Sequence, residues 1–297
     1  MQERTILEGH ENIKYHFKSF NELYELALDG DYEPWYSMEY WDETFIPFFI
    51  LEDTKVIANV SVAPMNMVLK GQNYYCLQIG SVMTHPEYRN QGLSKYLMNY
   101  VMEKYKDQYE FFYLFANETV LDFYPKFGFT RVDESDFILR DMTNIHGKKS
   151  DWQPLSINDP KHISLMEKFS KVHASLSNTI DFSPNSCLAM YHFLLQFDES
   201  IYYSAEKECI VIMEYDKEML RIYDILSTKL FNLEEIVSTI ILEETQQIQF
   251  FFVPDTDFGG KLEVKLNPFD EDALHIFPQE NRKLFPKHFI FPLTSHY

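Results

Sequence analysis

Ile79 to Lys95 reads IGSVMTHPEYRNQGLSK, and this stretch does most to restrict what the chain can fold into. A strand-like segment runs into a His85-Pro86 turn. Arg89-Asn90-Gln91-Gly92-Leu93-Ser94 then opens a segment whose apolar residues Leu93, Tyr96, Leu97, Tyr100 and Val101 recur at helical spacing. The free N–H groups and positive dipole end of a helix N-terminus form a natural anion site. Gly92 lets the backbone approach an anion with no Cβ in the way. An ordinary strand–turn–helix junction with a solvated Arg89 also fits these residues, so the sequence that follows has to decide.

Further along, the apolar run Phe111-Phe112-Tyr113-Leu114-Phe115 reads as a buried strand. After it comes Asn117-Glu118-Thr119-Val120-Leu121-Asp122-Phe123-Tyr124-Pro125-Lys126-Phe127-Gly128-Phe129. Here Asn117 suits an N-cap, Gly128 a helix stop, and Phe129 the start of another strand. This order of strand, glycine turn, helix, strand and short aromatic helix resembles the GCN5-related N-acetyltransferase (GNAT) family across roughly residues 20–140. In that family an Arg/Gln-x-x-Gly-x-Gly/Ala loop holds the pyrophosphate of an acyl-CoA. The last position of the loop is Ser94 here, small enough to keep the site and able to donate a hydroxyl to a phosphate.

The resemblance implies an α+β fold, a mixed and mostly antiparallel sheet flanked by helices, with acetyl-CoA as co-substrate. It implies that the main chain of Val82, Met83 and Thr84 binds the pantetheine arm in a β-like ladder. Amides of Arg89, Asn90, Gln91, Gly92, Leu93, Ser94 and Lys95 would hold the pyrophosphate, and Asn117 would lie near the arm. Tyr124 occupies the position from which the family draws the general acid that protonates the departing thiolate. A phenol can donate in this way at hydrogen-bond distance, although an aromatic at this place can also simply pack on the sheet.

The rest of the composition narrows the class. With 26 Lys and Arg against 46 Asp and Glu, the formal charge is −20. That balance argues against a nucleic-acid partner and favours cationic substrates. Hydrophobic residues make up 45% and charged residues 24%, a globular balance without a disorder signature. Aromatics reach 16%, so ring-rich cores are expected. No signal-peptide pattern opens the sequence, and no apolar run approaches the ~20 residues of a membrane helix. Cys76, Cys187 and Cys209 have no metal or disulfide spacing, and the histidines form no metal motif. These features predict a cytoplasmic, metal-free protein without membrane partners, and they leave homo-oligomerisation open.

The 297 residues suggest two domains. A polar, non-periodic stretch at Thr143–Trp152 separates an expected catalytic domain, 1–145, from a second, 152–297. In the first, Phe20–Leu28 reads as a helix, Phe45–Leu51 and Lys55–Ala63 as strands, Met67–Lys70 with Tyr74–Met83 as a hairpin, and Asp136–Arg140 as the last strand. The second half repeats the order: strands at Ile201–Ala205, Cys209–Tyr215 and Met219–Leu226, a helix at Leu233–Glu244, a buried strand at Ile248–Val253. Its counterpart of the loop, Ser227-Thr228-Lys229-Leu230-Phe231-Asn232, contains no glycine. A tandem fold whose second copy lacks the coenzyme motif is expected, with an unrelated α+β domain as the competing reading. The arrangement is similar to acetyltransferases of the enhanced-intracellular-survival type, without their third domain.

The acceptor is less legible. Asp31 to Glu43 carries Trp35, Tyr36, Glu39 and Trp41 and no Lys or Arg. Rings and carboxylates together suit an amine-bearing cation; the same pattern suits a helix whose rings pack inward while its carboxylates face water. At the other end, Phe289 to Tyr297 is apolar and strand-like, so it is expected to dock. In the related multidomain enzymes a terminal carboxylate can reach the first domain's active site, which makes Tyr297 a catalytic candidate; a tail closing the second domain's sheet is the alternative. The expected activity is acetyl transfer to a primary amine of a small, cationic acceptor. Acetylation of protein or peptide amines, and a non-catalytic acyl-CoA-binding scaffold, are the alternatives.

Overall fold

The computed structural model describes residues 4–142, 145–172, 174–267 and 272–297. Thr143 and Asn144, where the expected boundary begins, lie outside them. The first half runs β1 (Ile6–Glu8), α1 (His10–Leu28), α2 (Glu33–Ser37), β2 (Ile46–Glu52), β3 (Lys55–Leu69), β4 (Gln72–Thr84), α3 (Leu93–Tyr105), β5 (Phe111–Asn117), β6 (Thr130–Arg131) and β7 (Glu134–Leu139). The second runs β8 (Gln153–Pro154), α4 (Pro160–Lys171), β9 (Ile180–Phe182), α5 (Ser186–Tyr191), β10 (Ile201–Ser204), β11 (Cys209–Asp216), β12 (Met219–Ser227), α6 (Leu233–Ile240), β13 (Gln247–Phe250), β14 (Leu262–Asn267) and β15 (Asp272–Phe277). The expected elements are present, although α1 already begins at His10, α6 ends at Ile240 rather than Glu244, and two strands are longer than expected. The strand expected to stop at Ala63 continues to Leu69, so β3 and β4 form one long hairpin.

Two sheets result. The first has the order β1-β2-β3-β4-β5-β15-β6, with β9 added to β3, and the second reads β8-β10-β11-β12-β13-β7-β14. Among the described residues the only parallel pairs are β4 with β5 and β12 with β13, each joined by a crossover helix, α3 or α6. The two sheets are thus copies of one plan, a tandem GNAT-type fold. Helix α1 buries Ile13, Phe17, Phe20, Leu23 and Tyr24 on one face of the first sheet. Helix α3 buries Leu93, Leu97, Met98 and Val101 on the other. With both faces covered, β3 is apolar almost continuously rather than alternating.

One expectation needs correcting. Asp136–Arg140 does not close the first sheet. Strand β7 lies in the second sheet, between β13 and β14, where Phe137 pairs with Phe250 and Val264. Its place in the first sheet, between β5 and β6, is taken by β15, with Leu114 opposite His275. Each sheet borrows a strand from the other half of the chain. Period-two alternation reveals a strand but not its sheet, and Phe137 and Leu139 are buried equally well in a core at either place.

Candidate functional site

Strands β4 and β5 pair only from Cys76–Gln78 to Phe111–Tyr113 and then diverge. From Ile79 to Thr84 the β4 edge facing β5 has no strand partner among the described residues, while its other edge stays paired to β3. At the divergence β4 carries a bulge: Asn59 pairs with Met83 and Ser61 with Gly80, so Ser81 and Val82 both oppose Val60. Ser81 has φ 46°. The bulge is braced from beneath, with Asn59 Nδ2 donating to the Ser81 carbonyl at 2.9 Å and the Tyr32 hydroxyl 2.7 Å from Ser81 Oγ.

The split opens into a cleft of about 770 Å³. Val82, Met83, Thr84, Arg89, Asn90, Gly92, Leu93, Ser94, Lys95, Asn117 and Tyr124 come together in its lining; Gln91 belongs to the same loop without facing the cleft. At its outer end the loop turns left-handed twice, at Asn90 (φ 62°) and Gly92 (φ 77°). The first helical amide with an internal partner is Tyr96, which donates to Gly92 O at 2.9 Å; among the described residues, none of the amides from Asn90 to Lys95 has one. Such a row of free N–H groups at a helix N-terminus suits a phosphate chain. Ser94 ties this helix start to the strand end, its hydroxyl 2.5 Å from that of Thr84. Arg89 Nε donates to Thr84 O at 3.4 Å, with the side chain exposed at the rim. The matching place in the second half offers no such site. Asn232 caps α6 by accepting from Glu235 N at 3.1 Å, and Glu234 and Glu235 fill the first turn with negative charge.

Beyond β5 the expected short helix forms as two 3₁₀ turns, Glu118–Val120 and Tyr124–Phe127. Asn117 caps the first, accepting from Thr119 N at 3.1 Å, and Gly128 (φ 88°) ends the second. The Tyr124 ring packs on Phe123, Phe129 and His275, and burial pushes its phenol up to about 12. His275 is itself buried and held below its ordinary value, chiefly by desolvation.

The last three residues enter the split from its closed end. Tyr113 donates to Ser295 O at 3.2 Å; the Gln78 amide donates to the same carbonyl at 3.2 Å and accepts from Tyr297 N at 2.9 Å. Gln78 and Tyr113 form the last rung of the β4–β5 ladder. His192 Nε2 donates to His296 O at 2.9 Å, from a single π-helical turn, His192–Gln196. Further back, Thr294 bonds to Asp224 of β12 and Phe291 N donates to Glu134 at 2.6 Å. The His296 ring stacks on Phe115 at 3.5 Å between centroids. The Tyr297 ring sits among Phe45, Tyr191 and Trp35. Gly80 touches this tail: a Cβ there would stand 3.4 Å from Tyr297 Cβ and 3.5 Å from its main-chain O. The tail therefore closes the split of the first sheet and adds no strand to the second.

The acceptor candidates behave differently. Trp35 and Trp41 are core residues, stacked at 5.1 Å, with their indole N–H groups donating to Cys187 O and Phe45 O. Tyr36 stacks on Phe17 at 3.6 Å, and Glu39 is exposed. None of the four lines the cleft. Burying large rings outweighs any tendency of the segment to offer them to a ligand. The sequence reading missed Gly80, Ser81, Phe115, Asp272 and His296, which do line it. Only the bulge could have been suspected, from a small Gly80-Ser81 pair inside an apolar strand.

Comparisons with known proteins agree with this geometry. Residues 12–132 match the family model of the acetyltransferase (GNAT) domain. No curated protein matches the sequence. Among solved structures, a protein of unknown function from Enterococcus faecalis V583, described as a probable N-acyltransferase, aligns over 93% of this chain and 72% of its own, with 16% identity and a TM-score of 0.61. Eis1 from Mycobacterium abscessus aligns over 91% and 73%, with 12% identity and a TM-score of 0.60. A GCN5-related N-acetyltransferase from Kribbella flavida aligns over 92% and 70%, with 13% identity and a TM-score of 0.56. At such identities the likeness is one of fold, and it extends over both sheets.

Proposed function

Residues 12–132 belong to the acetyltransferase (GNAT) family, and on the premise that the chain is an N-acetyltransferase we propose that it moves acetyl from acetyl-CoA to a primary amine of a small, cationic acceptor. One observation carries this reading: a single cleft gathers the free amides of Asn90–Lys95, the unpaired edge of β4 and the Tyr124 phenol. The loop amides with Arg89 would hold the pyrophosphate, and Val82–Thr84 the pantetheine amides, alongside Asn117. When bound, the coenzyme supplies a thioester activated toward amines. The amine nitrogen forms a bond to the acyl carbon as the C–S bond breaks, and Tyr124 gives its proton to the departing sulfur. Burial supports that role by keeping the phenol protonated at neutral pH. The acceptor amine attacks in its neutral form, and the proton its nitrogen sheds as the amide forms passes to water in the open cleft.

The charge of −20 and the presence of Asp272 on the cleft wall support a cationic acceptor, drawn by the acidic surface. The halves 1–145 and 152–297 then divide the work, the first holding the coenzyme and the second delivering the tail. Thiol release from acetyl-CoA, measured with a panel of polyamines, aminosugars and lysine peptides, tests the proposal. Absence of amine-stimulated release across the panel would count against it.

A further inference from the structure

The same tail that closes the split also sets how deep the cleft is. From the last rung at Gln78 and Tyr113 the space between β4 and β5 is filled by Ser295, His296 and Tyr297, and the cleft begins where they end. On the β4 side the boundary is the contact of Tyr297 with Gly80, and on the β5 side it is the His296 imidazole lying flat on Phe115. The phosphate-binding amides lie at the outer end of this cleft and the β4 edge runs inward from them, so the acyl end of a bound coenzyme points at this floor. Resting on the coenzyme reading above, we propose that His296, stacked on Phe115, is the residue that determines acyl-chain length, restricting the donor to short acyl groups.

The floor is built to be stiff. The peptide group joining His296 to Tyr297 is held at both polar atoms, its carbonyl by His192 Nε2 and its N–H by Gln78. The carbonyl one residue earlier is held by Tyr113 and Gln78 together. The Tyr297 ring, wedged among Phe45, Tyr191 and Trp35, stops the segment from sliding. A loose segment could shift to admit a longer chain, whereas one fixed by four hydrogen bonds and four ring contacts has to be cut back. Packed interiors yield little room without loss of atoms.

The experiment compares kcat/KM for acetyl-CoA and butyryl-CoA, with the best amine of the panel as acceptor, in wild type, His296→Ala, His296→Phe and Phe115→Ala. Each added methylene that fits is worth about 10-fold or more in discrimination. The butyryl-to-acetyl ratio should therefore rise by roughly 10–10²-fold in His296→Ala and in Phe115→Ala. It should stay at the wild-type value in His296→Phe, which keeps a stacked ring and removes the imidazole nitrogens. Melting temperature and acetyl-CoA affinity are measured on each variant, and Phe115→Ala keeps the question answerable if His296→Ala does not fold. An unchanged ratio in a folded alanine variant that still uses acetyl-CoA overturns the inference alone. A wild-type protein that binds neither acyl-CoA overturns the coenzyme reading beneath it.

Discussion

Replacing Tyr124 by Phe removes one oxygen from a side chain that is 6% exposed and enclosed by Phe123, Phe129 and His275. Ring packing survives, so the melting temperature should change little. The kinetic effect should be large. With a phenol pushed up to about 12, roughly one molecule in 10⁵ is ionised at pH 7, so nearly every enzyme molecule carries the proton to be donated. Losing a positioned general acid costs about 10²–10⁴-fold in kcat, equivalent to about 2.7–5.4 kcal/mol of transition-state stabilisation. Thiol release from acetyl-CoA at saturating amine reads kcat, and calorimetry reads coenzyme affinity, which should be nearly unaltered. A second measurement tests the direction of proton transfer. A donor thioester with a more acidic leaving thiol needs less protonation, so the penalty of Tyr124→Phe should shrink with it. Wild-type turnover in the variant would refute the assignment, and so would an equal penalty with both donors.

Other expectations follow from the same geometry. Gly92→Asp places a carboxylate at a left-handed position among the free loop amides, and calorimetry should find acetyl-CoA binding abolished, with Arg89→Ala weakened less. Gly128→Ala meets φ 88° and a Phe277 ring carbon 3.1 Å from the new Cβ, and should lower stability by about 1–2 kcal/mol in urea denaturation. His192 is held down to about 4 by burial, so it stays neutral in the fold while the unfolded chain takes up a proton near the ordinary value of 6.5. Its contribution is complete above pH 6.5 and is lost as pH falls toward 4, on the order of 3 kcal/mol in all; the melting temperature of His192→Gln should fall less steeply over that window, and an equal slope would count against the argument. Glu39→Gln, exposed and away from the cleft, should leave KM for the acceptor amine unchanged.

Local signals made the outer end of the cleft readable. Arg89 to Lys95 form a contiguous loop, and Asn117, Tyr124 and Gly128 belong to one short run, so a strand–loop–helix pattern and two caps locate them without tertiary information. The repeat of the plan in the second half was also legible, because crossover helices and hairpins are local units. Partner choice between sheets was not. Asp136–Arg140 alternates like any strand, and only the competition between β7 and β15 for two equivalent slots decides where each goes. Trp35 and Trp41 illustrate the opposite difficulty, since a ring that recognises a cation and a ring that fills a core look alike in sequence. His192 and Gln78 gave no signal at all, because their roles depend on a tail that arrives from more than a hundred residues away.

The exchange of β7 and β15 bears on the order in which the protein can become active. A ribosome delivers the Arg89–Lys95 loop, β5 and Tyr124 early, yet the neighbour that β5 needs contains His275, more than half the chain away from its partner Leu114. Pairing across so long a separation is slow to form, because loop closure must precede its reward. Until β15 arrives, β5 has an open edge and Tyr124 lacks His275 beneath it. The first half, folded early, would be an incomplete enzyme exposing a sheet edge, a species prone to association with its like. Catalytic competence therefore waits for Asp272–Phe277, and a chain interrupted before that strand should yield no partial activity.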